Sequence, residues 1–121
     1  MTAPRALVVD DNAMTLELVS FVLAADRFVV QTAADAAAAL AWIPLFRPDV
    51  ILMDVQMPGI DGLALTRTLK ADPATRHIVI VAMTACAMNG DEGRMRDAGC
   101  DGYISKPIEV ATFCSKVRSC M

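Results

Sequence analysis

The stretch VILMDVQMPGIDG, which runs from Val50 to Gly62, decides how the rest of the sequence is interpreted. It begins with an unbroken aliphatic run, which is typical of a strand in a parallel sheet covered on both faces. The run ends on a carboxylate, Asp54, and an unpaired charge is costly to bury. We therefore expect Asp54 to lie where the strand emerges from the sheet, beside a cationic partner from elsewhere in the chain.

Four further short apolar runs alternate with helical patterns along the chain. The predicted strands are residues 6–9, 28–31, 50–53, 78–83 and 102–105, and the predicted helices are residues 14–25, 34–46, 60–70, 85–99 and 107–118. Five strands that alternate with five helices over short connections predict a doubly wound α/β sheet with right-handed crossovers. A chain of 121 residues has the size of one ordinary domain, so residues 1–121 are expected to form a single unit.

The apolar spacing also predicts which side chains of the first, second, third and last helices pack inward, whereas the fourth helix is distinguished by its glycines. Gly90 and Gly93 should make the fourth helix the least stable, because each glycine inside a helix costs about 1 kcal/mol relative to alanine. The predicted apolar positions of the other helices are Met14, Leu18, Phe21, Val22 and Ala25 in the first, Leu40, Trp42, Ile43 and Leu45 in the second, Leu63, Leu65 and Leu69 in the third, and Val110, Phe113, Cys114 and Val117 in the last.

Polar residues follow four of the five predicted strands. They are Asp10 and Asp11 after the first, Asp54 after the third, Thr84 after the fourth and Lys106 after the fifth. The carboxyl ends of parallel strands lie side by side, and ligands bind there. Three clustered carboxylates repel one another unless a cation joins them, and an all-oxygen site suits Mg²⁺. An aspartate beside a metal and a lysine is suited to forming an aspartyl phosphate.

Each of these residues has a simpler interpretation when it is taken alone. Residues 10–12 could cap the first helix, and Asp54 could cap the next one. Thr84 could be an ordinary strand or turn residue, and Lys106 could be solvated surface. Only their occurrence together, at adjacent ends of one sheet, favours a functional site.

Composition excludes several other classes of function. A net charge of -3 argues against nucleic-acid binding through bulk positive charge, and no apolar run is long enough for membrane insertion. The N-terminus lacks a signal-peptide core, so a cytoplasmic protein is expected. His77 is the only histidine and is expected at the surface. The four cysteines show no zinc or redox spacing and are expected to be reduced and mostly buried; they are Cys86, Cys100, Cys114 and Cys120.

Four segments resemble the receiver domain of two-component response regulators. They are VVDDN at 8–12, ILMDVQMPGIDG at 51–62, MTA at 83–85 and GYISKPI at 102–108. The resemblance covers essentially the whole chain, and AMNGDEGRMRDAGCDGYISKPI is especially similar to single-domain regulators of the DivK type and to receivers attached to hybrid histidine kinases. It implies a CheY-like, flavodoxin-like (βα)5 sandwich with strand order 2-1-3-4-5.

The resemblance also implies the chemistry of the site. Asp54 would accept a phosphoryl group from a histidine on a sensor histidine kinase or a histidine phosphotransferase. Asp11 and Asp54, with the backbone carbonyl of Gln56, would bind Mg²⁺, with Mn²⁺ as an alternative, and Asp10 would help to position the ion. Lys106 would pair with the phosphoryl oxygens. The protein would then be a signalling switch that catalyses only its own phosphotransfer and dephosphorylation.

The resemblance further implies how phosphorylation reaches a partner. Thr84 would hydrogen-bond a phosphoryl oxygen, and Tyr103 would swing inward as Thr84 moves. A downstream protein would bind the face formed by the fourth helix, fifth strand and fifth helix, roughly Met88–Val117. The supporting positions in the loops would be Pro58, Gly62 and Pro107, the last through a cis bond to Lys106.

Four alternatives remain open from the sequence. The chain could be a receiver excised from a hybrid histidine kinase or a multidomain regulator, or a receiver that signals without phosphorylation. A haloacid-dehalogenase-like phosphatase would need a second acid where this chain has Gln56. A flavodoxin-like electron carrier would need a phosphate loop rich in hydroxyls and glycine, which the first turn, DDNAMTLE, lacks.

Overall fold

The computed structural model describes residues 3–55, 62–84, 91–106 and 108–121. Strands and helices alternate through these residues. In chain order they are β1 (Arg5–Val9), α1 (Ala13–Ala25), β2 (Val29–Ala33), α2 (Ala36–Phe46), β3 (Val50–Asp54), α3 (Gly62–Ala71), β4 (Val79–Thr84), α4 (Asp91–Ala98), β5 (Gly102–Ser105) and α5 (Val110–Cys120).

The five strands form one parallel sheet in the order β2-β1-β3-β4-β5. Strand β1 pairs with β2 on one side and β3 on the other, so the switch in strand order falls at its carboxyl end. The doubly wound class and the strand order predicted from the sequence are therefore confirmed. The continuous apolar run of β3 is explained as well, because all five of its residues are buried.

Two apolar layers cover the two faces of the sheet. Alternate residues of β1 belong to different layers, as the period of two along a strand requires: Ala6 and Val8 join one, Leu7 and Val9 the other. Buried residues of α1 and α5 complete the first layer. Buried residues of α2 and α3 complete the second, and α4 packs beside α3 on the same side. Among the described residues, no helix is long and apolar enough to cross a membrane.

The predicted inward face of α1 was wrong. Met14 and Phe21 are 79% and 75% exposed, whereas Val19, Val22 and Leu23 are buried. Ala25 is exposed too, so of the five predicted residues only Val22 is buried. The reason is that α1 is apolar on almost every side, with Glu17 as its one charged residue, and the periodicity therefore does not select a single face.

In the other helices, the predicted buried residues agree best with the structure where polar residues clearly separate an apolar face from the rest of the helix. In α2, Ile43 is buried as expected, but Leu40, Trp42 and Leu45 are exposed. Small Ala39 lies against the sheet instead. The predictions for α3 are confirmed at all three leucines. In α5 they are confirmed at Phe113 and Val117, whereas Cys114 is half-buried and Val110 is exposed.

Candidate functional site

Four strands deliver the predicted site residues to one edge of the sheet. Asp10 directly follows β1, Asp54 ends β3, Thr84 ends β4 and Lys106 directly follows β5. The pairing register places Asp54 beside Met83 and Thr84 beside the last residue of β5. The carboxyl ends of these strands are therefore adjacent in space, as the sequence predicts.

Three carboxylates converge at this edge. One oxygen from each of Asp10, Asp11 and Asp54 lies within 4.8 Å of the others. Asp10 is completely buried, Asp54 is 4% exposed, and Asp11 is exposed to solvent. The cluster thus has a buried floor and one acid open to solvent.

Lys106 supplies the cation that Asp54 requires. Its Nζ lies 2.9 Å from Oδ2 of Asp10 and 3.2 Å from Oδ2 of Asp54. Burial of Lys106 lowers its pKa, but the hydrogen bond to Asp10 and the charges of both acids outweigh this effect and raise the pKa above its ordinary 10.5. The solvated-surface interpretation of Lys106 is therefore excluded.

The N-cap of α1 is Asn12 rather than Asp10 or Asp11. The side-chain oxygen of Asn12 accepts hydrogen bonds from the backbone N–H groups of Met14 and Thr15, and so caps α1. The backbone N–H of Asn12 donates to Oδ1 of Asp10 at 2.9 Å. One residue thus starts the helix and orients the buried acid, a second task that the sequence analysis missed because only the cap leaves a sequence signature.

Thr84 is linked to the lysine loop through the backbone. The backbone N–H of Lys106 donates to the carbonyl of Thr84 at 2.7 Å. Thr84 is 2% exposed, and Tyr103, which pairs with Ala82 in the register, is 39% exposed. The end of β4 is therefore joined by this hydrogen bond to the residue that follows β5.

Gly62 lies against the backbone that carries Asp54. A Cβ at Gly62 would lie 2.9 Å from Cα of Val55 and 3.0 Å from the carbonyl oxygen of Asp54. Only glycine allows α3 to begin this close to the end of β3. Five residues named in the sequence analysis lie outside the described residues: the expected supporting positions Pro58 and Pro107, the expected ligand Gln56, and also Cys86 and Gly90.

The donor set fits a hard divalent cation. Its members are carboxylate oxygens, the ligands that Mg²⁺ prefers, and exposed Asp11 leaves a side on which an ion would keep water. The histidine and the described cysteines, which could supply nitrogen or sulfur ligands to a metal, lie elsewhere. His77 is exposed ahead of β4, as expected. Burial raises the pKa of three half-buried free thiols, which keeps them protonated; they are Cys100, Cys114 and Cys120.

Comparisons with known proteins identify the family of the chain. The family described as "Response regulator receiver domain" matches residues 6–118. The polar-differentiation response regulator DivK of Brucella anthropi is 41% identical over 113 residues, which cover 93% of this chain and 92% of that protein. DivK of Brucella ovis is 40% identical over the same length.

Solved structures are similar over nearly the whole chain. The chemotaxis response regulator CheY4 of Vibrio cholerae superposes with a TM-score of 0.92 at 27% identity, covering 99% of this chain and 100% of that chain. The signal receiver domain of a signal transduction histidine kinase from Syntrophus aciditrophicus superposes with a TM-score of 0.86 at 30% identity, covering 98% and 89%.

The close approach at Gly62 predicts opposite effects for two glycine substitutions. Gly62→Ala should lower the free energy of unfolding by about 1–3 kcal/mol, because the added Cβ meets backbone that cannot move without displacing Asp54. Gly93→Ala is the matched control. It should raise that free energy by about 0.5–1 kcal/mol, since its Cβ meets nothing within 4 Å. Urea unfolding followed by circular dichroism measures both, and an undiminished stability of Gly62→Ala would contradict the close packing.

The ion pairs of Lys106 predict a pH-dependent contribution to stability. Without divalent cations, Lys106→Met should lower the free energy of unfolding near neutral pH by about 1–3 kcal/mol, because two buried acids lose their counter-charge. The pKa of Lys106 is higher in the folded than in the unfolded chain, so its contribution is present below the ordinary value of 10.5. It should be lost as the pH rises through the folded-state pKa.

Urea titrations at neutral pH and at about pH 11 test this contribution, with Lys116→Met, which removes an exposed lysine, as the control. The difference between wild type and Lys106→Met should shrink at the higher pH. A difference that is absent at neutral pH, or that is matched by Lys116→Met, would contradict the role of Lys106 as counter-charge.

Proposed function

The chain belongs to the response regulator receiver family of two-component signalling, and on that premise we propose that Asp54 accepts a phosphoryl group from a phosphohistidine in a Mg²⁺-dependent reaction. The observation that carries this proposal is the buried carboxylate of Asp54, 3.2 Å from Nζ of Lys106 and clustered with two further acids. A nucleophile, a fixed positive charge and an all-oxygen cluster are what phosphoryl transfer to a carboxylate requires.

The proposed transfer begins with attack by an oxygen of Asp54 on the phosphorus. The phosphorus–nitrogen bond to the donor histidine breaks, and its electron pair stays on the imidazole nitrogen, which then takes a proton. Lys106 offsets the charge of the phosphoryl oxygens from its position between Asp10 and Asp54. Because Lys106 already contacts Asp54 before transfer, little reorganisation is needed.

Asp10, Asp11 and Asp54 are the residues that would hold the metal. The backbone carbonyl of Gln56 is proposed as a further ligand on the resemblance alone, and Mn²⁺ would suit the same oxygen donors. When bound, the ion supplies positive charge to the carboxylates and to the incoming phosphoryl group. The cluster contains three acids and one lysine, so it retains net negative charge that favours a divalent cation.

Phosphorylation would switch the protein through Thr84 and Tyr103. We propose that the Thr84 hydroxyl donates a hydrogen bond to a phosphoryl oxygen and that the exposed Tyr103 ring then turns inward. The hydrogen bond from the Lys106 N–H to the Thr84 carbonyl supports this coupling, because it joins the two loops that meet the phosphoryl group. Gly93 keeps the neighbouring helix α4 weak enough to respond.

Receiver domains interact with histidine kinases or phosphotransfer proteins and with downstream targets. For this chain we propose a sensor histidine kinase or histidine phosphotransferase as the donor, and a downstream protein that binds α4, β5 and α5. We also propose that residues 1–121 form one receiver domain and that its only catalysis is its own phosphorylation and dephosphorylation. A receiver within a hybrid histidine kinase or larger regulator would use the same chemistry.

Incubation with acetyl phosphate and Mg²⁺ should add one phosphoryl group to the protein, detected as a single adduct by intact-protein mass spectrometry. Asp54→Asn and removal of the metal should each abolish the adduct. Asp97→Asn removes an exposed acid of α4 and should leave labelling unchanged. An adduct that persists in Asp54→Asn would place the acceptor elsewhere, and no adduct at all in wild type would overturn the proposal.

Thr84→Ala should separate phosphorylation from switching. The variant should still form the adduct on Asp54, because its carboxylate cluster and Lys106 are intact. It should lose most of the amide chemical-shift changes in α4, β5 and α5 that beryllium fluoride with Mg²⁺ induces in wild type, since the hydroxyl that senses the phosphoryl oxygens is absent. If beryllium fluoride induced chemical-shift changes in Thr84→Ala as large as those in wild type, Thr84 would be excluded as the sensor.

A further inference from the structure

Helix α2 carries two apolar stripes, and the described fold buries only one of them. The inner stripe packs on the sheet through Ala39 and Ile43. The outer stripe follows the same helical spacing of i, i+3, i+4, i+7 and i+8, and all of its members are exposed; they are Ala37, Leu40, Ala41, Pro44 and Leu45. Leu40 is 47% and Leu45 is 78% exposed.

The composition of α2 is unusual for a surface helix. None of its 11 residues is charged, and the indole N–H of half-exposed Trp42 is its one polar side-chain group. A helix that is apolar all round is normally buried. Leu40 and Pro44 also border a groove of about 650 Å³ whose far wall includes Leu69 and Ile78. The groove is also lined by Thr68, Asp72 and Thr75, so the exposed apolar surface that marks a candidate interface is the outer stripe of the helix itself.

We infer that the outer stripe of α2 pairs antiparallel with the same stripe of a second copy of this chain. The size of the side chains favours a twofold arrangement centred on Ala41, in which Leu45 of each copy lies over Ala37 of the other. Small residues at the centre let two helices approach closely, and no like charges on the helices oppose the contact.

The charges at the ends of α2 also favour a second copy as the partner. Asp35 is the N-cap and Arg47 the C-cap of the helix, and both are exposed. They lie six residues to either side of Ala41 in the sequence. Antiparallel pairing about Ala41 therefore brings the Arg47 end of each helix beside the Asp35 end of the other. The dipoles of two antiparallel helices also attract each other.

The Leu45 end of the proposed interface lies away from the phosphorylation site. The groove beside α2 includes Ile78, which precedes β4, whereas Asp54 and Thr84 end their strands at the opposite edge of the sheet. The Asp35 end of α2 follows the carboxyl end of β2 and so lies nearer the site. The mass of the dimer and the labelling of Asp54 are therefore measured separately. Failure of one in an experiment does not bear on the other.

Sedimentation of the full chain tests the dimer. An interface of one helix pair is small and predicts weak association, so wild type should change from a 12.9 kDa monomer toward twice that mass between about 10 μM and 1 mM. Leu45→Lys should stay monomeric throughout this range while its acetyl phosphate labelling is unchanged. Met14→Lys is the matched control, because Met14 is an equally exposed apolar residue on α1, and it should dimerise like wild type.

A charge exchange tests the antiparallel register. Arg47→Asp and Asp35→Arg should each weaken the homodimer at least tenfold, because each places like charges at both ends of the helix pair. An equimolar mixture of the two variants should dimerise again, since every end then carries opposite charges. Circular dichroism of each variant establishes that it is folded.

Three results would overturn the proposal. Wild type could remain monomeric at 1 mM, so that any partner of the outer stripe is a different protein. Association could survive Leu45→Lys and disappear in Met14→Lys, which would place the contact on α1. The mixture of the two charge variants could remain monomeric although both are folded, which would exclude the antiparallel register.

Discussion

The fold depends on compensating three like charges at one edge of a sheet whose interior is apolar. Asp10 and Asp54 are buried beside exposed Asp11, and Lys106 is the described cation that contacts both buried acids. Lys106 is 96 residues from Asp10 in sequence, so this compensation exists only when the strands that carry them are correctly ordered in the sheet. Three acids and one lysine leave net negative formal charge at this edge, which is the setting in which a divalent cation would bind favourably.

Much of the fold was predictable because its strands are encoded simply. Each of the strands β3 and β4 is a continuous apolar run bounded by polar residues, and the structure places them within one residue of the predicted positions. The prediction for β2 was less accurate. Residues 28–31 were expected, but the strand is Val29–Ala33, because the N–H of Phe28 donates to the carbonyl of Leu23 and belongs to the end of α1. Such a local turn has no signature in hydrophobic patterning.

The candidate site was predictable for a different reason. Parallel strands bring their carboxyl ends together whatever the details of packing, so polar residues at those ends identify the cluster directly. The sequence did not predict that the shorter contact of Lys106 is to Asp10 rather than Asp54, or that Asn12 orients Asp10 through its backbone. These details depend on side-chain reach and on backbone geometry at the first turn of α1, which residue types alone do not specify.

The helix faces were the least predictable feature, and the cause differs between α1 and α2. Apolar residues on α1 outnumber the positions that the sheet can cover, so burial is decided by packing rather than by period. On α2 the period is clear, but it occurs twice, and small Ala39 allows the inner stripe to lie close to the sheet while Leu40 and Leu45 are left in water. Exposure of such residues costs about 25 cal/mol for each Å² left unburied. A second copy that covers them would recover part of that free energy, and the sequence of α2 would then be consistent with both of its environments.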